Sequence, residues 1–118
     1  MAAKKRTLKL EIDGRFWINS TKGKLVGKGR IELLEKIQKL GSIRQAALAM
    51  KMSYRQAWQL IDEMNNNAKV PLVISTRGGK GGGNAIVTEK GEELINIFNS
   101  LSIKFHKFLA QQTEKIIF

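Results

Sequence analysis

Between Thr76 and Asn84 the chain reads Arg77-Gly78-Gly79-Lys80-Gly81-Gly82-Gly83, with five glycines around one lysine. Backbone amides in such a run can approach an anion closely, and the two cations add charge. Phosphate fits this chemistry. A nucleotide-binding P-loop would need Ser or Thr after its lysine and a helix directly behind the loop. Here Gly81 follows Lys80, the strand-like run Ala85-Ile86-Val87-Thr88 follows the loop, and no G-x-G-x-x-G phasing fits. A plain turn is the bland alternative, but so long a glycine run carries an entropic cost that a turn alone does not need. A hairpin tip resting on a phosphate backbone uses all the parts. Arg77, Gly79, Lys80 and Gly81 are its candidate contacts.

A second set of residues has the chemistry to read bases. If 53–66 is a helix with Ala57, Leu60, Ile61 and Met64 inward, then Arg55, Gln56 and Gln59 face outward. Arg can grip guanine O6 and N7 together, and Gln does the same for adenine N6 and N7. Ser53 and the amides of that first turn are placed to hold a phosphate. Tyr54 stands beside them, either against a nucleic-acid backbone or flanking the core, and Ser42 and Arg44 complete the candidate DNA-binding set from the preceding helix. The alternative is a solvated polar face. Asp62 and Glu63 would repel DNA and mark where such a surface ends.

Catalysis has little to stand on. His106 is the only histidine, and the neighbours Asp62-Glu63 and Glu92-Glu93 do not converge on one site. No metal-ligand spacing occurs. We therefore expect no enzyme, no catalytic residue, no metal and no cofactor.

Charge gives these residues their setting. In 118 residues, 21 Lys+Arg against 10 Asp+Glu give +11, so a polyanion is the expected partner and nucleic acid the leading one. Hydrophobic content of 42% with 26% charged is a globular mix, in one domain at this length. There is no cysteine, which excludes disulfides and fits a cytoplasmic location. No apolar run approaches a membrane span, and the start Met1–Gly14 is not a signal peptide. Lys4-Lys5-Arg6 reads as a basic tail over 1–6.

The elements that must position these residues follow from periodicity. Leu8, Leu10, Ile12, Phe16 and Ile18 all fall on even positions, which predicts one long strand over 7–19, bent at Gly14. A turn at Ser20–Lys24 and a short return strand at Leu25-Val26 follow. Trp17 lies on the opposite parity, exposed or covered by a partner chain. A helix is predicted over 29–39, ended by Gly41. Ser42-x-x-Gln45 and Ser53-x-x-Gln56 are two capping boxes opening two helices, a helix-turn-helix layout in which Lys51-Met52 stands where a turn glycine is usual. Trp58 is read as packing. Two short strands flank the glycine run. Thr88 caps a last helix on which Leu94, Phe98, Leu101, Phe105 and Phe108 recur at spacings of 4, 3, 4 and 3, a seam suited to pairing helices. The fold class is α+β: a winged helix-turn-helix with a three-helix core and β-hairpin wing over 7–88, N-terminal β-strands, and a dimerisation helix over 89–118.

The stretches "GSIRQAALAMKMSYRQAWQLIDEMN" and "PLVISTRGGKGGGNAIVTEKGEELI" resemble the DNA-binding domain of the ModE family, relatives of the LysR-type winged helix-turn-helix. Gly41-Ser42-Ile43, Ala46-Ala47, Ser53-Tyr54, Ala57-Trp58, Glu63-Met64-Asn65, the Arg77–Gly83 wing, Thr88 and Gly91 carry the resemblance, over about 25–95. It implies a bacterial-type transcription regulator, a homodimer on an inverted repeat of double-stranded DNA. Its second HTH helix would enter the major groove, and its wing would rest on phosphates or in the minor groove. The family's full-length members also carry molybdate-binding domains. Nothing in these residues matches them, so a single-domain member is expected and the effector is left open. A non-specific architectural DNA binder and a protein-interaction module are the alternatives.

Overall fold

Alternation governs the N-terminal segment, but a helix receives its inner face. The computed structural model describes residues 8–76 and 84–117. Strand β1 covers only Ile18–Ser20 and pairs antiparallel with β2, Gly23–Val26. Residues 8–17 belong to no strand, which corrects the single long strand expected from the period-2 pattern. The parity holds only from Glu11 onward: Ile12, Gly14, Phe16 and Ile18 are half-buried and the odd positions from Glu11 to Trp17 are exposed, but Leu8 and Leu10 of the expected apolar face are exposed too. Even positions lean on the last helix. Phe16 stacks on Phe98 at 4.6 Å and meets Phe105 edge-on at 5.2 Å, and the Ile12 amide donates to Thr113 Oγ1 at 3.0 Å. Hydrophobic alternation reports one buried side of an extended chain and is blind to what covers that side.

Trp17, off the apolar parity, lies flat on the backbone at Gly27. A Cβ there would stand 2.8 Å from the indole, so the position needs glycine. Lys24 and Arg30 stack on the same ring at 4.8 and 5.7 Å. Trp17 as a whole residue stays 42% exposed.

Helix α1 (Lys28–Leu40) turns Ile31, Leu33, Leu34 and Ile37 inward and ends at Gly41, in the left-handed region at φ 68°. Helix α2 (Ile43–Ala49) and helix α3 (Tyr54–Asn67) begin as the two serines require. Ser42 Oγ accepts from the Gln45 amide at 3.1 Å, and Ser53 Oγ from the Gln56 amide at 3.0 Å. Ala46 and Ala47 let α2 pack closely on α1 and α3. The turn between α2 and α3 places Lys51 at φ 57°, the left-handed conformation a glycine would adopt without strain.

Strands β3 (Val73–Thr76) and β4 (Asn84–Val87) form the antiparallel wing hairpin, with Val73 opposite Val87 and Thr76 opposite Asn84. Its tip, with Arg77, Gly79, Lys80 and Gly81, lies outside the described residues. Helix α4 (Glu89–Glu114) starts at Thr88, whose Oγ1 accepts from the Gly91 amide at 3.1 Å. The core is one cluster drawn from β2, α1–α3, the wing base and the first turns of α4.

The predicted seam on α4 is divided. Phe98 is 4% exposed, closed within its own chain by Phe16 and the core. Leu94 and Phe105 are half-buried, whereas Leu101 and Phe108 remain exposed. After Phe98 no described residue of α4 is buried. Ser102, Phe105, Leu109 and Thr113 form the half-buried face turned to the N-terminal segment, and Ile97, Leu101 and Phe108 form an open apolar stripe beside it.

Candidate nucleic-acid interface

Helix α3 holds the base-reading candidates rigidly. Ala57, Ile61 and Met64 are fully buried, so the helix cannot roll without breaking the core. Arg55, Gln56 and Gln59 project from the other side and are exposed. Among the described residues Arg55 joins no ion pair. A guanidinium and two amides on one outer face, on a fixed helix, can pair with donor and acceptor patterns in a major groove.

The flanking residues gather at the start of α3. Arg44, from α2, lies over the Tyr54 ring at 4.6 Å, and Tyr54 meets Trp58 edge-on at 6.3 Å. This stack holds an exposed cation beside the first turn of α3, where Ser53 Oγ already accepts from the Gln56 amide. The sequence pointed to Arg44 and Tyr54 separately, but no spacing rule pairs an arginine on one helix with a tyrosine on the next. Ser42 is brought to the wing. It forms an isolated antiparallel bridge with Asn84, and the Ala85 amide donates to Gly41 O at 3.0 Å. The tip-side end of the hairpin ladder, where Asn84 pairs with Thr76, is thus fixed beside the N-terminus of α2. The described structure gathers Ser53, Tyr54, Arg44, Arg55, Gln56 and Gln59 around the helix-turn-helix and sets Ser42 beside the tip-side end of the wing ladder.

Other polar residues turn out to be joints. Asn65 Oδ1 accepts from the Leu72 and Val73 amides at 2.8 and 3.2 Å, and its Nδ2 donates to Val73 O at 3.0 Å. It bolts the end of α3 to the start of the wing. Arg30 donates to Lys24 O and Leu25 O and pairs with Glu63 at 3.1 Å, so Glu63 neutralises a structural arginine. Gly91 lets α4 pass the wing: a Cβ there would lie 2.5 Å from Leu72 O. Three residues that carry the family resemblance, Asn65, Thr88 and Gly91, therefore serve the scaffold.

His106 Nδ1 lies 2.8 Å from Ser102 O on its own helix, an intrahelical contact. Among the described residues no His, Asp or Glu group could hold a metal ion, and no helix is long and apolar enough to cross a membrane.

The sequence is similar to several known proteins. The chain is 35% identical over 102 residues to the molybdenum transport protein ModE of Azotobacter vinelandii, covering 86% of this chain and 38% of that protein. It is 46% identical over 85 residues to the molybdenum-pterin-binding protein MopA of Rhodobacter capsulatus, covering 72% of this chain and 32% of that protein. To the DNA-binding transcriptional dual regulator ModE of Escherichia coli K12 it is 44% identical over 73 residues, covering 62% of this chain and 28% of that protein. The chain thus spans about a third of the length of these relatives. The family model for bacterial regulatory helix-turn-helix proteins of the lysR family matches residues 29–92, which hold α1 to α3, both wing strands and the first turn of α4. With over half its length matched, the chain belongs to the lysR family of bacterial regulatory helix-turn-helix proteins.

Proposed function

We propose that the chain is a sequence-specific DNA-binding transcription regulator that acts as a dimer in the cytoplasm, by binding and not by catalysis. Helix α3 enters the major groove, with Arg55, Gln56 and Gln59 on base edges. Ser42, Arg44, Ser53 and Tyr54 hold the phosphate backbone, and Arg77, Gly79, Lys80 and Gly81 bring the wing to phosphates or the minor groove. The exposed stripe of α4 joins two copies, so the preferred site is an inverted repeat. The observation that carries this reading is the pairing of a locked inner face with a free Arg-Gln-Gln outer face on α3. The net charge of +11 supplies the electrostatic capture that precedes base reading.

The test is selection of bound sequences from a random double-stranded pool at ~150 mM salt. An inverted repeat with half-sites about one helical turn apart, or a multiple of it, is the expected result. DNA retained without any motif would move the protein to the architectural class. No retention would leave a protein-interaction module.

A further inference from the structure

The N-terminal segment, residues 8–17, is extended and half-seated, yet its backbone is almost unpartnered. Among the described residues its amides make only two bonds, Ile12 to Thr113 Oγ1 and Gly14 to the neighbouring Asp13 Oδ1, and its carbonyls accept none. It continues directly into β1, whose single ladder, to β2, leaves the other edge of β1 open. Such an edge is a template for another strand. The seating is also incomplete. Ile12 reaches Thr113, next to the end of α4, so Leu8 and Leu10 run past the helix and stay 76% and 40% exposed.

We infer that this segment pairs antiparallel with the same segment of a second copy, about a two-fold axis at Gly14. The inference rests on the dimer reading above but uses a different surface from the α4 stripe.

Charge selects the occupant and the register. The outward side chains are Lys9, Glu11, Asp13, Arg15 and Trp17. In an antiparallel pair of identical strands, inner must face inner, which removes every register off by one. With Glu11, Asp13 or Arg15 on the axis, each meets its own copy. With Ile12 there, Glu11 meets Asp13 and Lys9 meets Arg15. Phe16 on the axis leaves Leu8 and Leu10 uncovered. Leu10 there sets Lys9 against Glu11, but it puts Arg15 opposite Lys5 and the apolar Phe16 opposite Lys4. With Gly14 on the axis, Asp13 faces Arg15 of the second copy, and this happens twice. On the inner side Ile12 then faces Phe16, and the overhanging Leu10 faces Ile18 on the open edge of β1. Opposite charges and apolar pairs directly across a ladder each stabilise it. Gly14 also suits the axis: a Cβ there would already touch the Phe105 ring at 3.4 Å. The same axis passes near Phe105, so one two-fold can serve both the strand pair and α4.

The chain has no cysteine, so introduced thiols report cleanly. Asp13→Cys and Arg15→Cys are made in the full chain, mixed in equal amounts without DNA, mildly oxidised, and run on a non-reducing gel. Directly opposed residues bring their Cα atoms to ~4.5–5.5 Å, within disulfide reach. The expected result is a linked pair in the mixture, with either variant alone unlinked, because like positions sit diagonally at ~7–8 Å. A mixture that stays unlinked, or Asp13→Cys linking to itself, overturns the proposal. Sedimentation of the unmodified chain keeps the two readings apart. A dimer with no mixed link refutes strand pairing and leaves the dimer standing, whereas a monomer refutes both.

Discussion

Arg55 and Lys51 show how differently two cations of the helix-turn-helix behave. Arg55 is solvated above a buried Ala57–Ile61 face, so truncating it disturbs no packing. Arg55→Ala is expected to leave the melting temperature unchanged and to remove ~1–3 kcal/mol of discrimination at one base pair. Lys80→Ala, by its charge alone, is expected to weaken all DNA alike and lower the salt slope by about one. Fluorescence anisotropy with the selected site and a scrambled duplex, over a salt series, separates these effects. If both changes weaken all DNA equally, the division between reading and anchoring is wrong. Lys51 is strained where Arg55 is relaxed. Its φ of 57° costs a side-chain-bearing residue ~1–2 kcal/mol, and glycine loses ~0.5–1 kcal/mol to entropy. Lys51→Gly is thus expected to stabilise the fold by about 0.5–1 kcal/mol, read as a higher denaturant midpoint. The sequence exposed Arg55, Gln56 and Gln59 through helical period alone. It noted the missing turn glycine but could not show which residue takes the left-handed conformation in its place.

At the scale of elements, periodicity and caps were legible because they are local. The two Ser-x-x-Gln boxes, Gly41 and Thr88 mark helix ends in the chain as in the fold, since a cap acts within four residues of itself. The joints were not legible, since they connect positions distant in sequence. Residues 8–17 look like a strand because one side is apolar, and only the fold shows that α4 receives that side. Asn65 looks like one more polar residue at a helix end, in the run Asn65-Asn66-Asn67, yet it makes three hydrogen bonds to the start of β3. Asn65→Ala leaves the amides of the buried Leu72 and Val73 and the Val73 carbonyl without this partner, at about 1–3 kcal/mol for an unsatisfied group. Chemical denaturation is expected to show a loss of about that size. Hydrogen exchange is expected to place the opening at Leu72 and Val73 and to leave α1 protected. Equal loss of protection throughout would mean that Asn65 serves the core and not the joint.

For the whole molecule, the divided seam on α4 separates folding from assembly. A helix of 26 residues extends ~39 Å, but its buried residues end at Phe98, within the first ten. The remaining length keeps Leu101, Ile103 and Phe108 in solvent, with Ile103 at 72% and Phe108 at 55% exposed. Heptad spacing in the sequence placed Phe98 and Phe108 in one seam. Spacing could not show that Phe16 already covers Phe98. The two phenylalanines therefore predict different failures. Phe98→Ala removes a buried ring from its own protomer, at ~3–5 kcal/mol, and is expected to lower the melting temperature at every protein concentration. Phe108→Glu puts a charge on the open stripe and touches nothing in the protomer core. It is expected to yield a folded monomer by sedimentation, with a melting temperature that no longer rises with concentration, as it does when association stabilises the native state. Half-site binding is expected to survive in that monomer, while preference for the inverted repeat over a single half-site disappears. A Phe108→Glu protein that remains dimeric would show that α4 is not what joins the copies, and would leave the paired N-terminal segments as the contact to test.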